Sequence, residues 1–258
     1  QQHGFNSDMV SGMEVVLPTG ELCCIGSCSV SSYWFSKGAP LPDLSGLFLG
    51  WFGTTGIITK LGLKLYPCKI TRDVMVFLTD RAELVPDMFL RLSHTEMVED
   101  VVVSAAPLPL RFRGTFWAMA YITGDSDEEL EFKRKMVWDS LWEHFENRDV
   151  GFLSVSPDMK PPLMSMPSKD TTRFADVSKG GGFQYAGPIT PIEKFPAFIK
   201  KLEEVATKYN VFYASTTRLI GAGHCMMFSF SFSFNRANAD EMARAKKALD
   251  ECSKFALE

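Results

Sequence analysis

Several common signatures are missing from this 258-residue sequence. No apolar run approaches the ~20 residues that span a bilayer, so no membrane span is expected. No charged n-region followed by an apolar h-region opens the chain, so no signal peptide is expected either. The formal net charge is −4, which argues against an electrostatic grip on nucleic acid or anionic lipid. The six cysteines, Cys23, Cys24, Cys28, Cys68, Cys225 and Cys252, are scattered, with no CxxC pair and no His cluster at zinc spacing. Cys23 and Cys24 adjoin on an expected strand and so point to opposite faces, which is poor geometry for a shared metal. They read as reduced, mostly buried thiols of a cytoplasmic protein with no metal site. No G-x-G-x-x-G fingerprint of a Rossmann dinucleotide site is present. There is no initial Met; Gln1-Gln2-His3 suggests a start inside a longer protein, or a processed one.

The apolar share of 46% is ordinary for a globular protein, and the length suits one large domain or two small ones. Met13 to Leu17 reads as a strand, Pro18-Thr19-Gly20 as a turn and Glu21 to Ile25 as the returning strand. Leu44 to Trp51 reads as a short buried helix. Ile57 to Tyr66 alternates as a strand with one wetter face, ended by Pro67.

After Pro67, strand and helix signals alternate with long helices. Strands are expected over Asp73 to Thr79, Asp100 to Ala105 and Thr115 to Ile122, and a helix over Arg81 to Met97. Ser126 caps a helix reaching about Asn147. Ser156 to Lys179 reads as a long loop. Gly180-Gly181-Gly182 leads into a strand at Phe183 to Ala186. Thr190, Pro191 and Glu193 carry the spacing of a capped helix start, followed by an apolar stripe from Ile192 to Ala206. Val211 to Arg218 and His224 to Phe234 are strands; the second puts Met226, Phe228, Phe230, Phe232 and Phe234 on one face and Ser229, Ser231 and Ser233 on the other. Asn238 or Asp240 opens a last helix. The boundary falls near Pro67, and the later part is an α+β arrangement of antiparallel sheet covered by helices. A weak repetition of strand, strand and helix suggests two related halves.

Two segments carry a specific signature. One is His3-Gly4-Phe5 through Gly12-Met13-Glu14-Val15-Val16-Leu17-Pro18-Thr19-Gly20. The other runs from Gly38-Ala39-Pro40-Leu41-Pro42-Asp43-Leu44-Ser45-Gly46-Leu47-Phe48 through Gly53-Thr54-Thr55-Gly56-Ile57-Ile58-Thr59-Lys60-Leu61-Gly62 to Tyr66-Pro67. In this order they resemble the second half of the FAD-binding domain of the vanillyl-alcohol oxidase and p-cresol methylhydroxylase family. The resemblance continues more weakly over Gly223-His224 to Arg236, which is similar to a cap-domain strand near the flavin. It implies an α+β fold: residues 1–67 as the second part of a PCMH-type FAD-binding domain, and residues 68–258 as an antiparallel, helix-covered cap or substrate domain. It also implies FAD as cofactor and a small organic substrate. The FAD pyrophosphate site would lie in a preceding segment or a companion polypeptide, and the family's C-terminal closing segment would follow Glu258.

Several residues are candidates for the site. Glycine lets backbone approach a flat, charged cofactor while free N–H groups meet its oxygens. Gly53, Thr54, Gly56, Ile57 and Ile58 fit that need, although a tight turn feeding a core strand explains the same glycines; by the resemblance they border the flavin and its ribityl chain. His3, Gly4 and Phe5 match the segment beside the flavin. His224, following Gly221-Ala222-Gly223, is the candidate proton acceptor, or a strand-end histidine that only hydrogen-bonds. Arg218 suits an anionic substrate group or a salt bridge. Arg111 and Arg113 face an anionic substrate or form a solvated turn, and Tyr33, Trp34 and Phe35 are pocket walls or ordinary packing. Phenol-oxidising relatives carry an acidic residue where Phe5 stands, so other alcohols and 2-hydroxy acids stay open. The expected function is oxidation of an organic alcohol, alkylphenol or 2-hydroxy acid by hydride transfer to FAD. The alternative is a non-catalytic scaffold or flavin-gating subunit.

Overall fold

A computed structural model describes residues 4–39, 41–105, 115–145, 149–158, 160–164 and 181–258. The chain divides into two compact units, His3–Cys68 and Lys69–Glu258.

The first unit is a three-stranded antiparallel sheet in the order β2-β1-β3, with β1 Val10–Val16, β2 Leu22–Gly26 and β3 Ile57–Leu63. Gly20, at φ +87°, turns β1 into β2, and its N–H donates to Leu17 O at 2.8 Å. The core is small: Val10, Met13, Val15 and Ile25, backed by Cys23, Phe48 and Leu49. Gly26, Gly12 and Gly62 stand in register across the three strands. A Cβ on Gly26 would lie 2.5 Å from Ser36 O, and one on Gly62 would lie 3.1 Å from the Trp34 ring. The loop around Trp34 therefore crosses the sheet over a row that only glycine can form. Buried Ser27 fixes that loop: its hydroxyl donates to Tyr33 O at 2.8 Å and accepts from Phe35 N at 2.9 Å.

The helix expected over Leu44 to Trp51 is instead a single 3₁₀ turn, Ser45–Leu47, with Leu44, Leu47 and Trp51 exposed. Asp43 Oδ1 accepts from Ser45 N at 3.0 Å and from the Ser45 hydroxyl, a local bond that competes with helix. Gly46 interrupts the run, and Gly50 turns at φ +82°. β3 does not have one dry face: Ile57, Ile58, Leu61 and Leu63 are all exposed.

The second unit is an eight-stranded, wholly antiparallel sheet. Its order is β7-β4-β6-β5-β10-β11-β8, with β9 also pairing β11. The strands are β4 Thr71–Thr79, β5 Asp100–Ala105, β6 Phe116–Gly124, β7 Val150–Leu153, β8 Gly181–Ala186, β9 Ile189–Thr190, β10 Phe212–Ile220 and β11 Cys225–Asn235. The helices are α1 Val85–His94, α2 Asp127–Phe145, the short α3 Lys160–Met164, α4 Phe195–Tyr209 and α5 Ala239–Phe255. Two halves are visible in this order. Each runs strand, helix, two strands, helix, and the halves meet where β5 pairs β10.

The four long helices cover one face. Phe77, Ala118, Leu219, Met226, Phe228, Phe230 and Phe232 of the strands pack there against Phe89 of α1, Leu141 of α2, Phe195 and Leu202 of α4 and Ala248 of α5. The alternation expected along β11 is present: Met226, Phe228, Phe230 and Phe232 line this core, with Phe234 packed against it. Ser126 Oγ accepts from Glu129 N, and Asn238 accepts from the N–H groups of Asp240 and Glu241, so both caps form. Thr190 caps no helix. It pairs with Met226, and α4 begins only at Phe195, after a 3₁₀ turn over Ile192–Lys194. The opposite face carries a smaller cluster, Val74, Val76, Leu78, Val102, Met119 and Tyr121, packed by Leu163 and Met164 of α3.

Candidate functional site

The glycine-rich segment before β3 forms a tight turn at an open strand edge. Thr54 N and Oγ1 both bond Trp51 O, at 3.0 and 2.7 Å. The two residues between, Phe52 and Gly53, have φ +52° and +78°, the backbone pattern of a primed turn. A Cβ at Gly53 would meet nothing within 4 Å, so the turn borders open space. Gly56 differs: a Cβ there would lie 2.7 Å from Val15 and 3.0 Å from Val16 O. Its missing side chain is needed by β1 whatever else it serves. Among the described residues β3 pairs only with β1, so its outer edge presents unpaired N–H and C=O groups. Thr55 Oγ1 beside the turn is buried without a hydrogen-bond partner among the described residues.

Gly4 has φ +72°, and a Cβ there would lie 2.6 Å from Asp8 Oδ2. That carboxylate accepts from Phe5 N at 3.0 Å, leaving the Phe5 ring exposed. Tyr33 is exposed, whereas Trp34 lies against Gly12 and Gly62 as packing. His3, Arg111 and Arg113 lie outside the described residues.

In the second unit the candidate chemistry lies on the sheet face away from the long helices. Arg218 of β10 pairs in register with Met227 of β11 and Val102 of β5. Its Nε meets Asp100 Oδ2 at 3.0 Å. The salt-bridge reading of Arg218 thus holds, and its planar guanidinium remains of a kind that suits an anion. Asp100 stands opposite Tyr121 of β6, whose hydroxyl donates to Leu163 O at 3.1 Å. Burial pushes the Tyr121 phenol up, and the Asp100 carboxylate adds to the shift. Tyr185 of β8 reaches this face too: its hydroxyl meets Ser229 Oγ at 2.9 Å.

His224 sits elsewhere. It follows the 3₁₀ turn Gly221–Gly223 between β10 and β11, and its side chain is exposed. It is three residues along β11 from the partner of Arg218, roughly 10 Å at the rise of a strand. The structure does not bring His224 and Arg218 together. Asp100 and Tyr185 had escaped sequence reasoning; the only signal was the small polar face of Ser229, Ser231 and Ser233, which marks an unfilled surface.

Among known proteins, no family model matches the chain. A p-cresol methylhydroxylase structure with substrate bound superposes with a TM-score of 0.77, at 20% identity, over 96% of this chain and 56% of that one. The chain has the p-cresol methylhydroxylase fold. A 4-ethylphenol oxidase from Gulosibacter chungangensis, in complex with isoeugenol, also has a TM-score of 0.77 to the same fold, at 15% identity, over 99% of this chain and 57% of that one. Alkyldihydroxyacetonephosphate synthase shares it at TM-score 0.63 and 14% identity, over 97% of this chain and 49% of that one. In sequence, a D-lactate dehydrogenase of Anaerostipes hadrus is 31% identical over 147 residues, covering 50% of this chain and 30% of that protein. The chain thus spans about half the length of the solved structures of p-cresol methylhydroxylase fold that it matches, and less of the dehydrogenase. Among the described residues no helix is long and apolar enough to cross a membrane.

Proposed function

We propose that this chain is part of an FAD-dependent oxidoreductase that oxidises a small organic alcohol, alkylphenol or 2-hydroxy acid by hydride transfer to the flavin. The observation that carries the reading is the open turn at Gly53, at an unpaired strand edge, within a chain of p-cresol methylhydroxylase fold. In this reading residues 1–67 are the second part of the FAD-binding domain, and residues 68–258 are the cap over the substrate.

When bound, FAD supplies the hydride acceptor. The backbone of Gly53, Thr54, Gly56, Ile57 and Ile58, with His3, Gly4 and Phe5, borders the flavin and its ribityl chain. Unpaired edge groups of β3 and the orphaned Thr55 hydroxyl fit the hydrogen-bonding needs of such a cofactor. The terminal nitrogens of Arg218, held by Asp100, take the carboxylate or phenolate of the substrate. Arg113, Tyr33 and Trp34 are the further substrate contacts of this reading; the packed ring of Trp34 makes it the weakest of them. His224 is the proton acceptor of this reading, although three residues of strand, roughly 10 Å, separate it from the partner of Arg218. By the family resemblance, the pyrophosphate is held by a segment outside these residues or by a companion polypeptide. The D-lactate dehydrogenase similarity favours a 2-hydroxy acid, and the names of the structural neighbours favour a phenol. The six free cysteines support a reducing, cytoplasmic setting.

One experiment tests the reading. The full-length protein should show flavin absorbance bands that bleach when phenolic alcohols or 2-hydroxy acids are added without oxygen. His224→Ala should keep the bands and bleach far more slowly. A colourless protein would sink the flavoenzyme reading in favour of a scaffold, and unaltered bleaching by the variant would remove His224 from the reaction.

A further inference from the structure

We propose that Tyr185 is a specificity-determining contact for the substrate: its hydroxyl, fixed by Ser229, receives a hydrogen-bonding group at the far end of a small organic acid whose anionic end lies on Arg218. The proposal rests on the reading that the helix-free face of β10 and β11 meets the substrate, and it adds a second point of recognition there.

Register places the two groups on one face. Ser231 pairs with Tyr185 and with Ala214, Ser229 pairs with Thr216, and Met227 pairs with Arg218. These positions alternate with Phe228, Phe230 and Phe232, which are buried under the helices. Arg218 is therefore the diagonal neighbour of Ser229, with backbones roughly 7–8 Å apart. Arg218 leans on Asp100 of β5 and Tyr185 on Ser229 of β11, so a ligand reaching both would lie across β10 and β11, a span that suits a compact acid and not a long chain.

Tyr185 is built as a donor or acceptor rather than as filler. Tyr185 is 54% exposed, while Ser229, which fixes its hydroxyl, is 6% exposed. Room for the phenol is left by Gly187, where a Cβ would lie 2.8 Å from the Tyr185 oxygen. A phenol hydroxyl both donates and accepts, so it can meet a hydroxyl or a carbonyl on the ligand.

The test is a two-by-two titration of the full-length protein and its Tyr185→Phe variant with 4-hydroxybenzoate and benzoate, followed by calorimetry. The wild type should bind 4-hydroxybenzoate about tenfold more tightly than benzoate, the size expected when one hydrogen bond is lost. In Tyr185→Phe that ratio should fall to about one, with benzoate affinity unchanged. A merely structural role for the phenol would weaken both ligands together and keep their ratio. A preserved ratio overturns the role of Tyr185. Failure of both acids to bind the wild type overturns the site, and the absorbance spectrum judges the flavoenzyme reading separately.

Discussion

At the scale of single residues, glycines and hydroxyls carry most of the information, and their meanings diverge. Gly56 and Gly53 look alike in the sequence, yet the first is fixed by the nearness of β1 and the second borders open space. Loss of cofactor in a Gly56 variant would therefore report a damaged sheet as readily as a blocked approach. Buried hydroxyls divide in the same way. Ser27 is fully used by the loop it holds, whereas Thr217 and Ser215 of β10 lie in the core under the helices with no hydrogen-bond partner for their hydroxyls among the described residues. Each such group keeps its desolvation cost on folding. Thr217→Val keeps the β-branch and the strand preference while removing the orphaned oxygen. The variant is expected to be more stable by about 1 kcal/mol, seen as a higher urea midpoint with an unchanged slope. A lower midpoint would mean that Thr217 holds an internal water or a partner that matters for stability.

At the scale of elements, α4 and α5 are joined by a charge cluster. Glu251 of α5 accepts from Lys201 at 2.8 Å, from Lys208 at 2.7 Å and from Tyr209 at 3.0 Å, all three on α4. Lys201 first, then Lys208 and Tyr209, hold the Glu251 carboxyl down at about 2, from an ordinary value of 4.5. A depressed folded pKa stabilises above the unfolded value, and the contribution is lost as pH falls from about 4.5 towards about 2. Glu251→Gln should lower stability at neutral pH by about 1 kcal/mol, as expected of a half-exposed cluster. The difference between variant and wild type should shrink below about pH 4.5 and close only towards about pH 2; thermal melts across pH 2–7 check this, and a constant difference would assign the loss to packing. Elements were also where the sequence was most legible. The alternating Met and Phe residues of β11, the Asn238 cap and the Ser126 cap are local patterns, and local patterns survive folding. Thr190 misled because its capping-box spacing is equally available to a short strand paired with Met226, a partner 36 residues away in the sequence (226 − 190). The site was less legible still. Asp100 approaches Arg218, and Tyr185 approaches Ser229, only because β5, β10, β11 and β8 are neighbours in the sheet, and strand order is not written in any one segment.

At the scale of the whole molecule, burial is unevenly shared. Among the described residues, the exposed large hydrophobics of the first unit are fifteen, from Phe5 to Tyr66, against nine in the much longer second unit. The first unit has only four fully buried apolar residues to set against them, Val10, Met13, Val15 and Ile25. A unit of that size with so small a core is marginal without help from something that covers it. The uncovered surface is concentrated on β3 and the residues just after it: Ile57, Leu61, Leu63 and Leu65 are all exposed, on a strand whose outer edge is also unpaired. Apolar surface beside a free edge is the usual template for association. Residues 1–258 produced alone should therefore bind a hydrophobic dye and sediment with a mass that rises with concentration. Replacing Ile57, Leu61 and Leu65 together by Lys should suppress both effects while leaving the circular dichroism of the second unit unchanged, because none of the three contributes to its core. A wild-type chain that stays monomeric and dye-free at high concentration would mean that this surface needs no cover, and would weaken the case that another segment or polypeptide completes the flavin site.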